Sequence, residues 1–473
     1  MLKVLIEKEI RDIIGSTKFA VIFGACAILI LISFYVGGKT YQSNQSQYEA
    51  AKAENLRQFE GLTDWFSVQQ YRIFLPPQPL AALVSGVSND IGRTTEIWGR
   101  GELSAQDSKF GDEPIYAVFR FLDLEFMFQV VLSLFAVLLG YDAISGEKER
   151  GTLKLSFANA VPRHKYILGK IIGSLAALAV PLLVALAIGS LLLPVMGVPL
   201  SGDDWIRLAL VIATGLLYFA AFLTLSIFVS ARTERSSHSF LVLLVVWILC
   251  VLIVPRASVL LAGRAVDVPS VDEIASEKAR FQQQQWQEDR AGWGNFKPTV
   301  GDDPEAAMKE LNRFMEEQAD IREKKMQEFS SRLNEQRYNK QLEQQRLAFG
   351  LARISPAAAL SLGVTTLAGT SIDLKGHYNE EAKAYQTEYG KFMKDKTGTN
   401  PGGRMMVFRM KVEGEEEKAP EPINPQELPQ FKYNAAGLSE AFSSAALDIG
   451  VLAFFNLIFF AGAFVSFLRY DVR

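Results

Sequence analysis

Long apolar blocks without charge alternate along this chain with stretches that hold nearly all of its charge. About 20 apolar residues are needed to cross a hydrocarbon core of roughly 30 Å. Phe19 to Gly38 forms one such block, bracketed by Lys18 and Lys39. Phe126 to Tyr141 forms a second, which Phe119, Phe121, Leu122 and Leu124 lengthen. Ile171–Gly202, Leu208–Ala231, Ser239–Pro255 and Ile449–Leu468 follow. Each is too long and too uniformly apolar for an ordinary core helix. The expected spans are therefore 18–38, 119–141, 167–194, 206–231, 238–255 and 446–468. Pro181 and Pro194 are expected to kink and end the third. No convincing small-x-small cleavage site follows the first block, so it reads as an uncleaved anchor.

Ile354–Ile372 also lacks charge, but Ser355, Pro356, Ser361, Gly363, Thr365, Thr366 and Gly369 interrupt it. It is expected to be a helix buried in an outer domain or lying at the interface. A span there would move Arg469 and Arg473 to the side that basic residues avoid. Before the first span, Leu2, Leu5, Ile6, Ile10, Ile13 and Ile14 recur at helical spacing. Lys3, Glu7, Lys8, Arg11 and Asp12 fall largely on the opposite side. Residues 1–17 thus read as an amphipathic elbow helix on the inner membrane surface.

Basic residues set the orientation. Lys3, Lys8, Arg11 and Lys18 precede the first span, and Lys148, Arg150, Lys154, Arg163, Lys165 and Lys170 crowd the link after the second. Arg232 and Arg235 follow the fourth span, and Arg469 and Arg473 follow the sixth. The turn from Pro194 to Trp205 has only Asp203 and Asp204. Both termini are therefore expected in the cytoplasm, with 39–118 and 256–440 outside. Those two links exceed what a connection needs and are expected to fold into one body.

The larger link reads as helical. Ser270 and Glu273 fit a capping box behind Pro269, opening a helix to about Asp289. Gly292, Gly294, Pro298 and Gly301 break the chain. Asp303, Pro304 and Glu305 then start a long second helix to about Gly350, pairing antiparallel with the first. Met308, Leu311, Met315, Met326, Phe329 and Leu333 give it an incomplete heptad pattern. The run Gln282–Gln287 reads as a solvated helix face. Thr397–Pro429 reads as loop, with a short strand at Met405–Phe408. The expected fold is an all-α polytopic membrane protein with six transmembrane helices, an N-terminal amphipathic interfacial helix and a large, mainly helical extracytoplasmic domain.

Composition narrows the chemistry. The chain has 473 residues and a formal net charge of −3, so it offers no basic face for a nucleic-acid partner. Cys26 and Cys250 both lie in apolar blocks and read as packing residues, leaving the outer domain without disulfides. There is no G-x-x-x-x-G-K-[ST] phosphate loop, no H-E-x-x-H, no paired C-x-x-C and no nucleophile elbow. His164, His238 and His377 are scattered and read as surface or interface residues. No catalytic, cofactor or metal residue is expected in this chain. Inside the spans, Ser133, Thr214, Tyr218, Thr224 and Asn456 are expected to hydrogen-bond between helices, with a substrate path as the alternative.

The link at 142–166 is the most informative stretch. It opens with YDAISGEKERGTL over residues 141–153, continues through Leu155 and Val161-Pro162-Arg163, and leads to Leu168-Gly169-Lys170. Glu147, Lys148, Glu149 and Arg150 should lie just inside the membrane. Gly151 permits a sharp turn and Thr152 can cap the helix after it. A short exposed helix of mixed charge suits docking into a groove on a partner. This pattern resembles the type-2 ABC exporter permeases, and is closest to the branch containing the permease of the nitrous-oxide-reductase maturation system. The resemblance implies a permease subunit in the bacterial inner membrane, coupled to export by a separate ATPase that binds ATP and Mg. It implies a second permease, identical or related, and it assigns coupling to Glu147, Lys148, Glu149, Arg150, Gly151, Thr152, Leu153, Pro162 and Arg163. Two other classes fit the residues. One is a mechanical transmitter that drives an extracytoplasmic partner protein without moving solute itself. The other is a non-ABC membrane sensor or scaffold.

Overall fold

The computed structural model describes residues 1–68, 71–88, 91–97, 103–106, 123–158, 161–294, 304–398 and 422–470. Helix α1, Leu2–Ile14, is followed at Gly15 and Ser16 by α2, Thr17–Arg57. The Ser16 hydroxyl accepts the Phe19 N–H at 3.1 Å and caps α2. Helix α2 does not stop at Gly38. Residues 39–57 contain no proline and mostly good helix formers, so 41 residues run as one helix of roughly 60 Å.

Three short strands come next, β1 (Tyr71–Phe74), β2 (Thr94–Ile97) and β3 (Ser104–Gln106). They pair antiparallel in that order, Tyr71 opposite Ile97 and Thr94 opposite Gln106. This sheet departs from the all-helical expectation. The strands are too short for alternation to show clearly in sequence.

The next apolar block is built as α3 (Leu124–Phe126), a π-helical turn (Met127–Leu132) and α4 (Ser133–Gly140). Phe119, Phe121 and Leu122, expected to lengthen it, lie outside the described residues. After it come α5 (Ser145–Glu149), α6 (Thr152–Ala158), α7 (Arg163–Val195) and α8 (Gly202–Arg232). Ser201 and Asp204 close a full capping box on α8. Helix α9 (Ser236–Trp247) passes through a second π turn (Ile248–Ile253) into α10 (Val254–Ala265). Then follow α11 (Val271–Gly294), α12 (Pro304–Ala352), α13 (Pro356–Ala368), α14 (Asp373–Thr397) and α15 (Leu438–Leu468). The expected strand at Met405–Phe408 lies outside the described residues.

The chain divides into two compact units, Ser258–Leu351 and the remainder. Within Ser258–Leu351, α11 and α12 run antiparallel. Partner numbers rise on one helix as they fall on the other: Arg337 donates to the Pro269 carbonyl, Phe281 stacks on Phe329 at 4.1 Å, and Arg322 sits 4.3 Å over the Trp286 ring.

The other unit has two cores. The smaller joins Phe59, Val68, Tyr71, Ile73 and Ile97 to one face of α14: Leu374, Tyr378, Ala382, Tyr385, Tyr389 and Met393. The two long links therefore meet here, and they are also joined where the Val87 N–H donates to the Thr370 carbonyl at 3.0 Å and the Ile423 N–H to the Leu62 carbonyl at 2.7 Å. The α11–α12 pair forms a body of its own. The larger core gathers α2, α4, α7, α8, α13 and α15. Its outer surface carries Val21, Ile28, Val184, Leu191 and Leu457, all more than half exposed to the surroundings. An apolar exterior on hydrogen-bonded helices is the surface that hydrocarbon requires.

Among the described residues, seven helical stretches are long and apolar enough to cross a membrane. The seventh, Pro356–Thr397, is broken at Gly369, whose φ of 70° no helix interior adopts. What remains apolar is α13, 13 residues and roughly 20 Å long, short of a bilayer core. It is buried on all sides and packs against α8, α15 and the second π turn, not within an outer domain. Small residues at 357–359 allow that close approach. Across the bundle, Trp247 Nε1 donates to Ser133 Oγ at 2.8 Å, Tyr218 donates to the Gln129 carbonyl at 2.8 Å, and Asn456 Nδ2 donates to the Leu217 carbonyl at 2.9 Å. Thr214 and Thr224 bond carbonyls of their own helix instead, at Leu210 and Ala220.

Candidate functional site

Helix α4 ends at Gly140, and Tyr141–Ile144 connect it to α5. Ser230, near the end of α8, receives the N–H groups of Ile144 and Ser145 at 3.0 and 2.9 Å. That fixes the start of α5 against α8. Gly151 then takes φ +71°, a left-handed conformation costly for any residue with a Cβ, and α6 leaves in a new direction.

The charged residues of α5 mostly point inward. Glu147 is buried. Its carboxylate takes the Lys170 ammonium of α7 at 2.8 Å and the Tyr166 hydroxyl, with Lys8 of α1 at 4.0 Å. Lys170, also buried, reaches Glu9 of α1 at 2.9 Å on its other side. Lys148 donates to the Ala231 and Thr233 carbonyls at the end of α8, at 2.5 and 2.9 Å. Its ammonium lies 4.2 Å from the Tyr470 ring, just past α15. Glu149 accepts the Ser236 N–H at 2.9 Å and its hydroxyl at 2.8 Å, at the first residue of α9. Three successive side chains thus hold the ends of α7, α8 and α9, and cations or N–H groups meet each acceptor where a helix end needs them.

Arg150 differs: its Nε turns back to the Gly146 carbonyl at 3.0 Å and the residue is exposed. Thr152 does not cap α6, because it is the first helical residue and its hydroxyl points back to the Glu147 carbonyl at 3.4 Å. Leu153 is buried in the main core. Pro162 precedes α7 with an extended ψ of 128°, and its carbonyl accepts the Lys165 and Tyr166 N–H groups. Arg163 donates to the Leu468 and Tyr470 carbonyls at 3.1 and 2.9 Å, closing the end of α15. The outward face of this region belongs to α6, where Lys154, Leu155 and Ala158 are exposed and Leu155 reaches 68%.

The sequence reading missed Glu9, Lys170 as an ion-pair centre, Ser230 and Ser236. Glu9 carried a signal: it stands between Leu5 and Ile13 on the apolar stripe of α1, where a charge needs a partner. Gly169 and Gly173 carried another. A Cβ at Gly169 would stand 2.8 Å from Leu5 Cβ, and one at Gly173 2.7 Å from Glu9 Cβ. Small residues four apart let α1 lie against α7. Among the described residues no group of His, Cys, Asp and Glu is placed to hold a metal ion.

A bundle of long apolar helices whose ends are drawn together by one polar turn is the build of a multi-pass membrane transporter subunit. The sequence pattern of the ABC-2 family transporter proteins matches residues 3–472, essentially end to end. This chain belongs to that family. It is also similar to a curated protein described as "Probable ABC transporter permease protein NosY" of Stutzerimonas stutzeri, with 33% identity over 125 residues. That match covers 26% of this chain and 45% of the relative, so the two correspond over less than half the relative's length.

Proposed function

We propose that this chain is the permease subunit of an ATP-driven exporter in a bacterial inner membrane, with both termini cytoplasmic and a separate ATPase docked beneath α5 and α6. The observation that carries this reading is the division of labour at Gly151. Helix α5 grips the ends of α7, α8 and α9, while α6 exposes Lys154 and Leu155 on the surface offered to a partner's groove. A push on α6 passes through Leu153, in the core, and through α5 to several span ends at once. ATP and Mg bind in the ATPase, and this chain supplies no group to their chemistry. A second copy or a related permease completes the membrane unit, as the family resemblance implies.

The test is a pair of substitutions, Lys154→Glu and Leu155→Glu, made in the full chain, with the ATPase that co-purifies with the parent from native membranes as the readout. Both sites are on the surface, so the thermal midpoint should stay within the scatter of the parent. Co-purification of the ATPase should fall at least tenfold, since Lys154→Glu reverses a charge at the proposed contact and Leu155→Glu would bury one there. Undiminished co-purification with both variants overturns the docking surface.

A further inference from the structure

The two π turns in the bundle are built alike. In an α-helix each carbonyl meets the N–H four residues on, whereas a π turn reaches five and interrupts that ladder. The turn Ile248–Ile253 has an identifiable cause. The Val254 N–H bonds back five residues to the Leu249 carbonyl. The next donor in that register belongs to Pro255, which has no N–H, so the Cys250 carbonyl gains none from the ladder there. The hydroxyl of Ser355 donates to it instead. In the turn Met127–Leu132 the Gln129 carbonyl is met by two hydroxyls, Tyr218 of α8 at 2.8 Å and Ser133 at 2.6 Å. In both turns the third residue's carbonyl is held by a hydroxyl from another element.

The turns are also tied to each other. Trp247, the residue before the second turn, donates to Ser133, the residue after the first, at 2.8 Å. Gln129 Nε2 reaches the Ala357 carbonyl at 3.4 Å, beside the Ser355 that serves the other turn. Two residues earlier, Arg353 pairs with Asp448 of α15 through two bonds of 2.6 and 3.1 Å. The five residues Arg353–Ala357 therefore touch three apolar helices. The body Ser258–Leu351 is joined to the rest of the chain through α10, which follows the second turn, and through α12, which ends at Ala352.

We propose that the two π turns are coupled hinges and that Arg353–Ala357 is the latch that sets their register. A one-residue change of register turns the helix beyond a hinge by about 100°. At the second hinge the helix beyond is α10. With the latch closed, the hydroxyls of Ser355 and Tyr218 hold both turns open. With it released, α10 and the end of α12 move together and carry the α11–α12 body with them. Movement of the apolar helices is thereby delivered to that body at both of its attachments. The inference needs the family's multi-pass fold and not ATPase docking, so its failure and that of the docking surface are separable.

The test is hydrogen exchange on the full chain in lipid nanodiscs, without ATPase, following peptides over 127–134 and 248–256. Tyr218→Phe removes one hydroxyl, the one that bonds the Gln129 carbonyl of the first turn. Coupled hinges require exchange to quicken about fivefold in both peptides, the effect of one lost hydrogen bond. Ser355→Ala should do the same from the other side and Ser355→Thr should restore the parent rate. Ser355 also caps α13, so Tyr218→Phe decides the matter if Ser355→Ala fails to fold. Acceleration confined to 127–134 in Tyr218→Phe, or no acceleration in either peptide, overturns the inference.

Discussion

Helices α5 and α6 share one short motif and are built for opposite purposes. In α5 the charges are tied to other helices, from buried Glu147 through half-buried Lys148 to Glu149 at the surface. Glu147 and Lys170 are each less than a tenth exposed, and Lys148 and Glu149 end on carbonyl and amide groups of other helices. In α6 a leucine faces outward. Charge at a membrane edge is usually read as surface and leucine as core. Here the assignments are exchanged, because helix ends need charged partners and a docking surface needs something apolar to bury.

The strongest way to break this contrast is Lys170→Met. It leaves Glu9 and Glu147 buried together without their cation, and loss of one partner from a buried ionic group costs about 3–5 kcal/mol. The folded yield in mild detergent and the thermal midpoint should both collapse. A parent-like midpoint would mean that α5 does not depend on its inward charges. Gly151→Val comes next. It forces a β-branched residue to φ +71° and should cost roughly 1–3 kcal/mol, lowering the midpoint while leaving the Leu155 side chain in place. The smallest effect is expected for Glu149→Ala, the loss of an exposed acceptor at the start of α9. Faster amide exchange at Ser236–Phe240, with the rest of the chain unchanged, is the measurement that checks it.

Much of the membrane part is legible in the sequence because hydrocarbon demands uniform apolar blocks of fixed length, and Phe19–Gly38 or Leu208–Ala231 can hardly be anything else. The ends of the helices are less legible. Helix α2 runs on to Arg57 because residues after Gly38 are polar but still favour helix, and a rule based on apolarity stops where the membrane does. The place of α13 was hidden for another reason. Serines, threonines and glycines lower its hydropathy, yet they are what allows it to be buried on every side. At the candidate site, the residue types and the turn at Gly151 are readable, but the direction in which each charge points is not. Glu147 meets Lys170, Lys148 meets Ala231 and Glu149 meets Ser236, partners that local periodicity cannot supply. The small sheet escaped for want of length, since four residues between turns hold too little alternation.

The contact of α1 with α7 also bears on how the protein is made. Glu9 bonds Ser174 across 165 positions of chain and shares Lys170 with Glu147. A ribosome finishes α1 long before it reaches α7. Until then the carboxylate stays in water and α1 has no glycine groove to lie in. The earliest helix of this stretch is therefore among the last to find its seat, and insertion of the third apolar helix becomes the step that completes the beginning of the chain.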